Sequence, residues 1–220
     1  AVRSNSILPC SRDKRNNKET FISMSKRSKE SSDLSDIEVD ATMMRQRNLK
    51  IKSLLKKAKE AGQVGSKCSS EVRQGVVDVA QELKEFSDAT PARISLNGFH
   101  NLIHSQSEGG SAGSLGPFLV GKVAQEFLNE TDFINAVSFF GGLLKISLLA
   151  QRTILDDERI RVKFREIVVC LGGIEVLRKE TKGQGVWKNL FVGEYVDDEG
   201  KRALLRVMET PSLFVIEQKI

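Results

Sequence analysis

The fold is decided at residues 160–169, which read Ile-Arg-Val-Lys-Phe-Arg-Glu-Ile-Val-Val. Apolar side chains occupy every second position up to Phe164, and Arg or Lys occupies the positions between them. This period of two is typical of a β-strand with one buried face and one wet face. After Glu166 the apolar positions continue one residue out of phase, which predicts a β-bulge near Arg165 and Glu166.

Similar short segments lie on both sides of this strand in the sequence and are joined by turns rich in Gly, Asp and Pro. They are residues 133–140, 143–149, 186–196, 203–208 and 213–218. No helical period separates them, so the pattern favours an antiparallel barrel or sandwich over a parallel sheet. We predict a mainly β domain over residues 93–220, a barrel of about eight strands. Such a barrel has just enough interior for one small apolar ligand.

A helical arm is predicted before the barrel, over residues 41–92. Apolar residues follow the i, i+3, i+4, i+7 spacing of one helix face in two stretches. These are Ile51, Leu54, Leu55 and Ala58 in the first, and Val72, Val76, Val79, Ala80 and Leu83 in the second. Lysines fill much of the opposite face of the first stretch, and Gly62 and Gly65 predict the break between the two helices.

The charge of the chain is concentrated before the barrel. Residues 1–92 carry 18 basic and 13 acidic side chains, whereas residues 93–220 carry 16 of each. Residues 1–29 hold eight basic side chains, two acidic ones and six serines. We predict that residues 1–40 are disordered, either as a transit-peptide remnant or as an ordinary basic tail. Because the barrel is neutral, nucleic-acid binding is not expected.

Several function classes find no support in the residue types. No uncharged apolar run approaches the ~18–20 residues of a membrane-spanning helix. The cysteines Cys10, Cys68 and Cys170 are odd in number and far apart, which argues against a disulfide framework or a zinc site. Cys170 lies in an apolar strand and is expected to be a buried, inert thiol.

Three further motifs could suggest a chemical function, but a structural role is the better interpretation of each. Residues 116–123 have the spacing of a phosphate-binding loop, but Val123 replaces the Ser or Thr that would ligate Mg²⁺, so we expect a glycine-rich turn leading into a strand. His100 and His104 lie ~13 Å apart if the segment is a strand, too far to share a metal, and are expected to be surface or half-buried side chains. The acidic turns at 156–158 and 197–199 are expected to be solvated. No catalytic residue, metal or cofactor is therefore predicted.

The order of short motifs from Leu49 to Gln218 resembles the plastid-lipid-associated protein (PAP)/fibrillin family. The motifs that carry this resemblance are Leu96-Asn97-Gly98-Phe99-His100, Ser111–Phe118 with Gly121-Lys122-Val123 and Gln125, Arg159-x-Arg161-Val162-x-Phe164, Trp187, Tyr195-Val196-Asp197, Leu205-Arg206-Val207 and Leu213-Phe214-Val215-Ile216. The chain departs from the family pattern at Phe99-His100, where a Trp is usual, and at Met208-Glu209-Thr210-Pro211, where a second Arg is missing.

The resemblance implies a lipocalin-like barrel in a non-catalytic plastid protein. Such a protein would bind or organise hydrophobic lipids (isoprenoids, quinones, carotenoids or fatty acids) at plastoglobules or thylakoids of the chloroplast. The candidate ligand-binding residues are Phe118, Phe127, Phe139, Leu144, Ile160, Val162, Phe164, Trp187, Asp197 and Arg206. Asp197 and Arg206 are expected to form a polar pair, either buried near the cavity or on the surface.

An alternative function is a scaffold without a lipid ligand of its own. The helices at 49–60 and 70–86, within residues 41–87, would then dock a plastid enzyme or an anionic membrane surface, because the lysine-rich first helix combines positive charge with one apolar stripe.

Overall fold

The computed structural model describes residues 23–107, 112–115 and 118–220, with side chains from residue 39 onward. The chain divides into two compact units between Thr42 and Met43. The described part of the first unit is helical, and the β domain and its cavity lie in the second unit. The predictions for residues 1–22 lie outside the described residues.

The first helix, α1, spans Ser23–Ala61. It therefore begins within the segment that the sequence assigned to the tail. The physical reason is that residues 23–61 contain neither Gly nor Pro, so no breaker ends the helix before Gly62, which takes φ +77°. None of the described helices has a stretch long and apolar enough to cross a bilayer.

The second helix, α2, spans Ser70–Leu83 and is followed by a short 3₁₀ turn over Lys84–Phe86. Ser69 caps its N-terminus, where the hydroxyl accepts a hydrogen bond of 3.4 Å from the amide of Val72. The chain breaks between the two helices, as Gly62 and Gly65 predicted, and a 3₁₀ turn over Gly65–Lys67 lies in the break.

The β domain confirms the predicted fold class, with eight strands closing into an antiparallel ring and a ninth strand, β8, paired outside it. The strands are β1 (Gly98–Ser105), β2 (Ser114–Leu115), β3 (Leu119–Val120), β4 (Lys122–Phe127), β5 (Asp132–Phe139), β6 (Leu144–Ile154), β7 (Arg159–Leu171), β8 (Ile174–Glu180), β9 (Gln184–Val196), β10 (Arg202–Thr210) and β11 (Ser212–Lys219). Around the ring the order is β6-β5-β4-β1-β11-β10-β9-β7, and β7 pairs with β6 to close it.

The predicted bulge is present in β7. Leu149 of β6 pairs with Glu166, and the next residue, Ala150, pairs with Phe164, so Arg165 is the extra residue. The strand β8 was not predicted, because all seven of its residues are exposed and it has no buried face to produce a period of two. It forms by backbone pairing with the second half of β7 across the Gly172-Gly173 turn.

Two apolar layers stabilise the fold. The inner layer fills the barrel, with Phe127, Phe133, Ile160 and Val162 among its buried side chains. The outer layer lies between the helices and the outside of β9, β10 and β11. It contains the predicted stripes of α1 and α2, except that Val72 is exposed. Because these stripes are covered by the barrel, they do not present an apolar face to a membrane or a partner.

Candidate ligand-binding site

The barrel encloses a cavity of about 410 Å³ near the β2–β3 hairpin and the β10–β11 turn. Its walls are mainly apolar side chains, with a few amide groups among them. The residues that define its shape are Leu102, Leu115, Val123, Gln125, Asn135, Val137, Phe139, Ile146, Leu148, Phe164, Trp187, Met208, Pro211, Phe214 and Ile216. This volume lies within the range of about 300–1,000 Å³ that is usual for small-molecule sites.

The register of the sheet arranges one wall in two rows. Val123 of β4 lies opposite Val137 of β5, which lies opposite Ile146 of β6. In the second row Gln125 lies opposite Asn135. Because residues two apart in a strand point to the same face, each polar position lies next to an apolar one along its strand. The wall thus changes from aliphatic to polar over a single step of the pleat.

A buried arginine supports the polar row from the other side of the barrel. Arg206 of β10 is 1% exposed, and its Nη1 donates to Oε1 of Gln125 at 3.2 Å. Its Nε donates to Oδ1 of Asn189 at 2.9 Å, and Asn189 is itself held by the backbone carbonyl of Glu158. Burial and the nearby charge of Arg152 lower the pKa of Arg206 to about 9, so the guanidinium stays charged at neutral pH.

His100 of β1 completes this polar layer. It lies opposite Gln125 in the sheet and is fully buried, with its ring edge-on to Phe127 at 5.1 Å between centroids. Neither ring nitrogen makes a hydrogen bond of normal geometry. Burial, and then the charge of Arg206, lower the pKa of His100 to about 4. The imidazole is therefore neutral at physiological pH.

An aromatic cluster forms the layer between the polar row and the closed end of the barrel. Phe127 stacks on Phe133 at 5.3 Å, and Phe133 meets Trp187 at 5.7 Å. The guanidinium groups of Arg206 and Arg152 lie 5.7 and 5.5 Å from the ring centre of Phe127. The segment that precedes β1 closes this end, where the amide of buried Ala92 donates to the carbonyl of Asp157 at 2.8 Å.

The structure brings only part of the predicted ligand-binding set to the cavity. Phe139, Phe164 and Trp187 line it directly. Phe127, Ile160 and Val162 are buried in the inner layer but do not line the cavity. They fill the closed end of the barrel.

Two wall residues and one pairing were predicted wrongly. Phe118 is 96% exposed, because it lies in the turn of the β2–β3 hairpin, outside the barrel wall. Leu144 is half-buried at the first position of β6, away from the cavity lining. Asp197 does not pair with Arg206, since it accepts a hydrogen bond from Lys219 at 2.9 Å in a partly exposed turn.

Sequence reasoning missed the polar residues Gln125, Asn135, Asn189 and His100. The signal was present in β4, where Gln125 occupies the position between Val123 and Phe127 on the inward face. A polar residue in an inward apolar series indicates either a buried hydrogen-bond network or a binding group. Such a network cannot be assigned from sequence because its members come from different strands.

The other motifs have structural roles, with three corrections. His100 and His104 are both buried rather than surface or half-buried, and Nδ1 of His104 contacts the carbonyl of Gly62 at 2.7 Å. Cys170 is half-buried rather than buried, and its thiol is free. Leu119 and Val120 of the phosphate-loop-like segment form β3, and the chain continues into β4 without a helix.

The described residues contain no group of three His, Cys, Asp or Glu side chains that could hold a metal ion. The chemistry of the site is therefore that of an apolar cavity bordered by amides and one buried cation. No protein-family model, curated protein or solved structure matches this chain. The fold and the site define a class of protein, the closed antiparallel β-barrels with an internal cavity.

Proposed function

We propose that this protein binds a hydrophobic small molecule or lipid in its barrel and is not an enzyme. The observation that carries the proposal is the internal cavity, whose aliphatic and aromatic walls favour an apolar ligand and whose polar row can orient one polar group. At ~30 Å³ per water-sized group, it has room for roughly a dozen non-hydrogen atoms. A medium-chain fatty acid or a short-tailed quinone fits this limit, whereas a whole carotenoid would have to protrude.

The resemblance of the sequence to the plastid-lipid-associated family supports a setting for this activity. We propose that the protein acts in the chloroplast, at the surface of plastoglobules or thylakoids. Mixing the purified chain with isolated plastoglobules and thylakoids, and following it by flotation, tests this setting. Recovery of all the protein in the lipid-free fraction would contradict it.

Ligand carriage is tested on the purified full chain. Lipid extracted from the protein is identified by mass spectrometry, and the stripped protein is titrated with fatty acids, quinones and carotenoids. The fluorescence of Trp187, the single tryptophan, reports occupancy because its ring lies in the cavity wall. An empty preparation whose Trp187 emission ignores all three ligand classes would refute the proposal.

A matched pair of variants assigns binding to the cavity. Leu148→Phe adds volume inside the cavity and should weaken binding at least about tenfold, because the added ring occupies space that the ligand needs. Leu149→Phe makes the same change one residue later, on the opposite face of β6, and should leave affinity unchanged. Equal affinities for the two variants would show that the ligand binds elsewhere.

A further inference from the structure

The buried guanidinium of Arg206 lacks a counter-charge. Among the described residues, its hydrogen-bond partners are the neutral amides of Gln125 and Asn189, and no carboxylate oxygen lies within 4.0 Å of it. Its Nη2 is buried and makes no hydrogen bond. The face of Phe127 contributes a cation–π contact but no negative charge.

The neighbouring arginine shows the usual arrangement. Arg152 is also buried and also lies over Phe127, but its Nη2 meets the carboxylate of Glu130 at 3.0 Å and its Nε donates to the Glu130 carbonyl. A buried charge without a partner is costly, so such groups are normally paired. His100 cannot supply the missing charge, because it is neutral or cationic. Of these two buried arginines, Arg206 is the one without a carboxylate partner among the described residues.

The unpaired charge lies next to the cavity. Gln125, which accepts from Arg206, is itself part of the cavity wall, so one hydrogen bond separates the guanidinium from the enclosed space. Because Oε1 of this amide is engaged, its remaining group, Nε2, is a donor. Across the sheet, Asn135 also lines the cavity, and its Oδ1 is buried without a partner. The orphaned Nη2 of Arg206 is a donor, whereas the orphaned Oδ1 of Asn135 is an acceptor, so it is the charge of Arg206 and the Nε2 donor of Gln125 that favour an anion at the polar row.

We infer that the ligand is an anionic amphiphile whose negatively charged head group lies at the polar row and is neutralised by Arg206, while its apolar chain lies against the aliphatic wall. This inference rests on the proposed lipid-binding function and specifies its ligand class. A carboxylate or phosphate would accept an amide hydrogen bond from Gln125, whose Oε1 is held by Arg206, so the guanidinium would stabilise the negative charge through one intervening side chain. A neutral alcohol of equal length would fill the same space without compensating the charge.

The test compares ligands of one chain length that differ only in the head group. Dodecanoate, dodecanol and dodecylammonium are titrated into the stripped full chain at pH 7, with Trp187 emission as the readout. Dodecanoate should bind about tenfold to a hundredfold more tightly than dodecanol, and dodecylammonium should bind most weakly. Acetate, a free anion without a chain, should not displace dodecanoate at equal concentration.

Each outcome of this panel decides a different point. Equal affinities for dodecanoate and dodecanol would overturn the anionic head group but leave lipid binding standing. Failure of all three long-chain ligands would refute the proposed function itself. If acetate binds as tightly as dodecanoate, the site binds a free anion, and the inference of an amphiphilic ligand is wrong. The panel uses wild-type protein, so it remains decisive even if the variants below do not fold.

Variants assign the preference to Arg206. Arg206→Met keeps an unbranched apolar stem and removes the charged guanidinium, and it should abolish the preference for dodecanoate while dodecanol binding persists. Arg206→Lys should retain part of the preference because it keeps the charge. Arg152→Met is the matched control, since this arginine is already paired, and it should leave the ratio of the two affinities within about threefold. A preference that survives in Arg206→Met would overturn the assignment.

Discussion

Acid should destabilise this protein before most of its carboxylates titrate, because the buried imidazoles of His100 and His104 resist protonation. His100 is fully buried between the ring of Phe127 and the region of the Arg206 charge. The chain has only two histidines, His100 and His104, so a stability loss between pH 7 and pH 5 has few possible sources. The substitution His100→Leu removes the imidazole and isolates its contribution to this loss of stability.

The magnitude follows from the two pKa values of His100. The pKa is about 6.5 in the unfolded chain and about 4 in the folded protein, where burial and then Arg206 lower it. Between these values the unfolded state binds the proton and the folded state does not. The free energy of unfolding therefore has its full value above pH 6.5 and declines as the pH falls towards 4. The total loss of unfolding free energy from His100 is about 3 kcal/mol, of which about 2 kcal/mol is lost between pH 7 and pH 5.

Urea unfolding followed by Trp187 fluorescence at pH 7 and pH 5 measures this loss. In His100→Leu the loss between the two pH values should be smaller than in wild type by about 2 kcal/mol. Leu is suitable because it is apolar and neither nitrogen of the imidazole makes a hydrogen bond of normal geometry. Carboxylates titrate equally in both proteins and cancel in the comparison.

The control is His104→Leu, which removes the other buried imidazole and should keep the contribution of His100. Arg206→Met offers an independent check, because loss of the nearby positive charge should raise the pKa of His100 and reduce the acid effect. If His100→Leu loses as much stability between pH 7 and pH 5 as wild type does, then the folded state protonates His100 normally. The reasoning from burial and charge would then be wrong.

Three packing predictions use the same unfolding assay at pH 7. Phe133→Ala should cost about 3–5 kcal/mol because it opens a void in the buried aromatic cluster, whereas Phe118→Ala, in the exposed hairpin turn, should stay within about 0.5 kcal/mol of wild type. Leu54→Ala should cost about 2–5 kcal/mol if the α1 stripe packs on the barrel, and equal stability for Leu54→Ala and the exposed control Leu49→Ala would disprove that packing. Gly65→Ala should cost about 1–3 kcal/mol, since its new Cβ would lie 2.6 Å from a buried imidazole carbon; a stability like that of wild type would show that this loop relaxes freely.

Local sequence patterns contained much of the fold. The alternation in residues 160–169 predicted β7, and the break in phase at Glu166 predicted its bulge, because side chains of a strand alternate between two faces. The helical spacing of Ile51, Leu54 and Ala58 predicted the buried stripe of α1. These features depend on neighbours within one element, so the order of residues is sufficient to define them. β8 was missed because pairing alone, without a buried face, produces no such pattern.

The candidate site was predictable only in its apolar part. Phe139, Phe164 and Trp187 could be proposed as cavity residues because large apolar side chains on inward positions must lie inside a closed barrel. Phe118 is also a large apolar residue, but it lies in a turn outside the barrel wall and is exposed. Residue type therefore predicts burial only where the backbone also faces the interior.

From local patterns alone, the sequence specified most of the strands and helices and which of their faces are apolar, but not β8 or the start of α1. Only the tertiary structure decided that Arg206 lies beside Gln125 and Asn189, rather than beside Asp197, and that its charge has no carboxylate partner among the described residues. Asn189 lies in β9, the sheet neighbour of β10, whereas Gln125 lies in β4, three strands away, and reaches Arg206 only because the sheet closes into a ring. A hydrogen bond depends on distances of about 3 Å between side chains that can be far apart in the chain, and no local pattern specifies such distances.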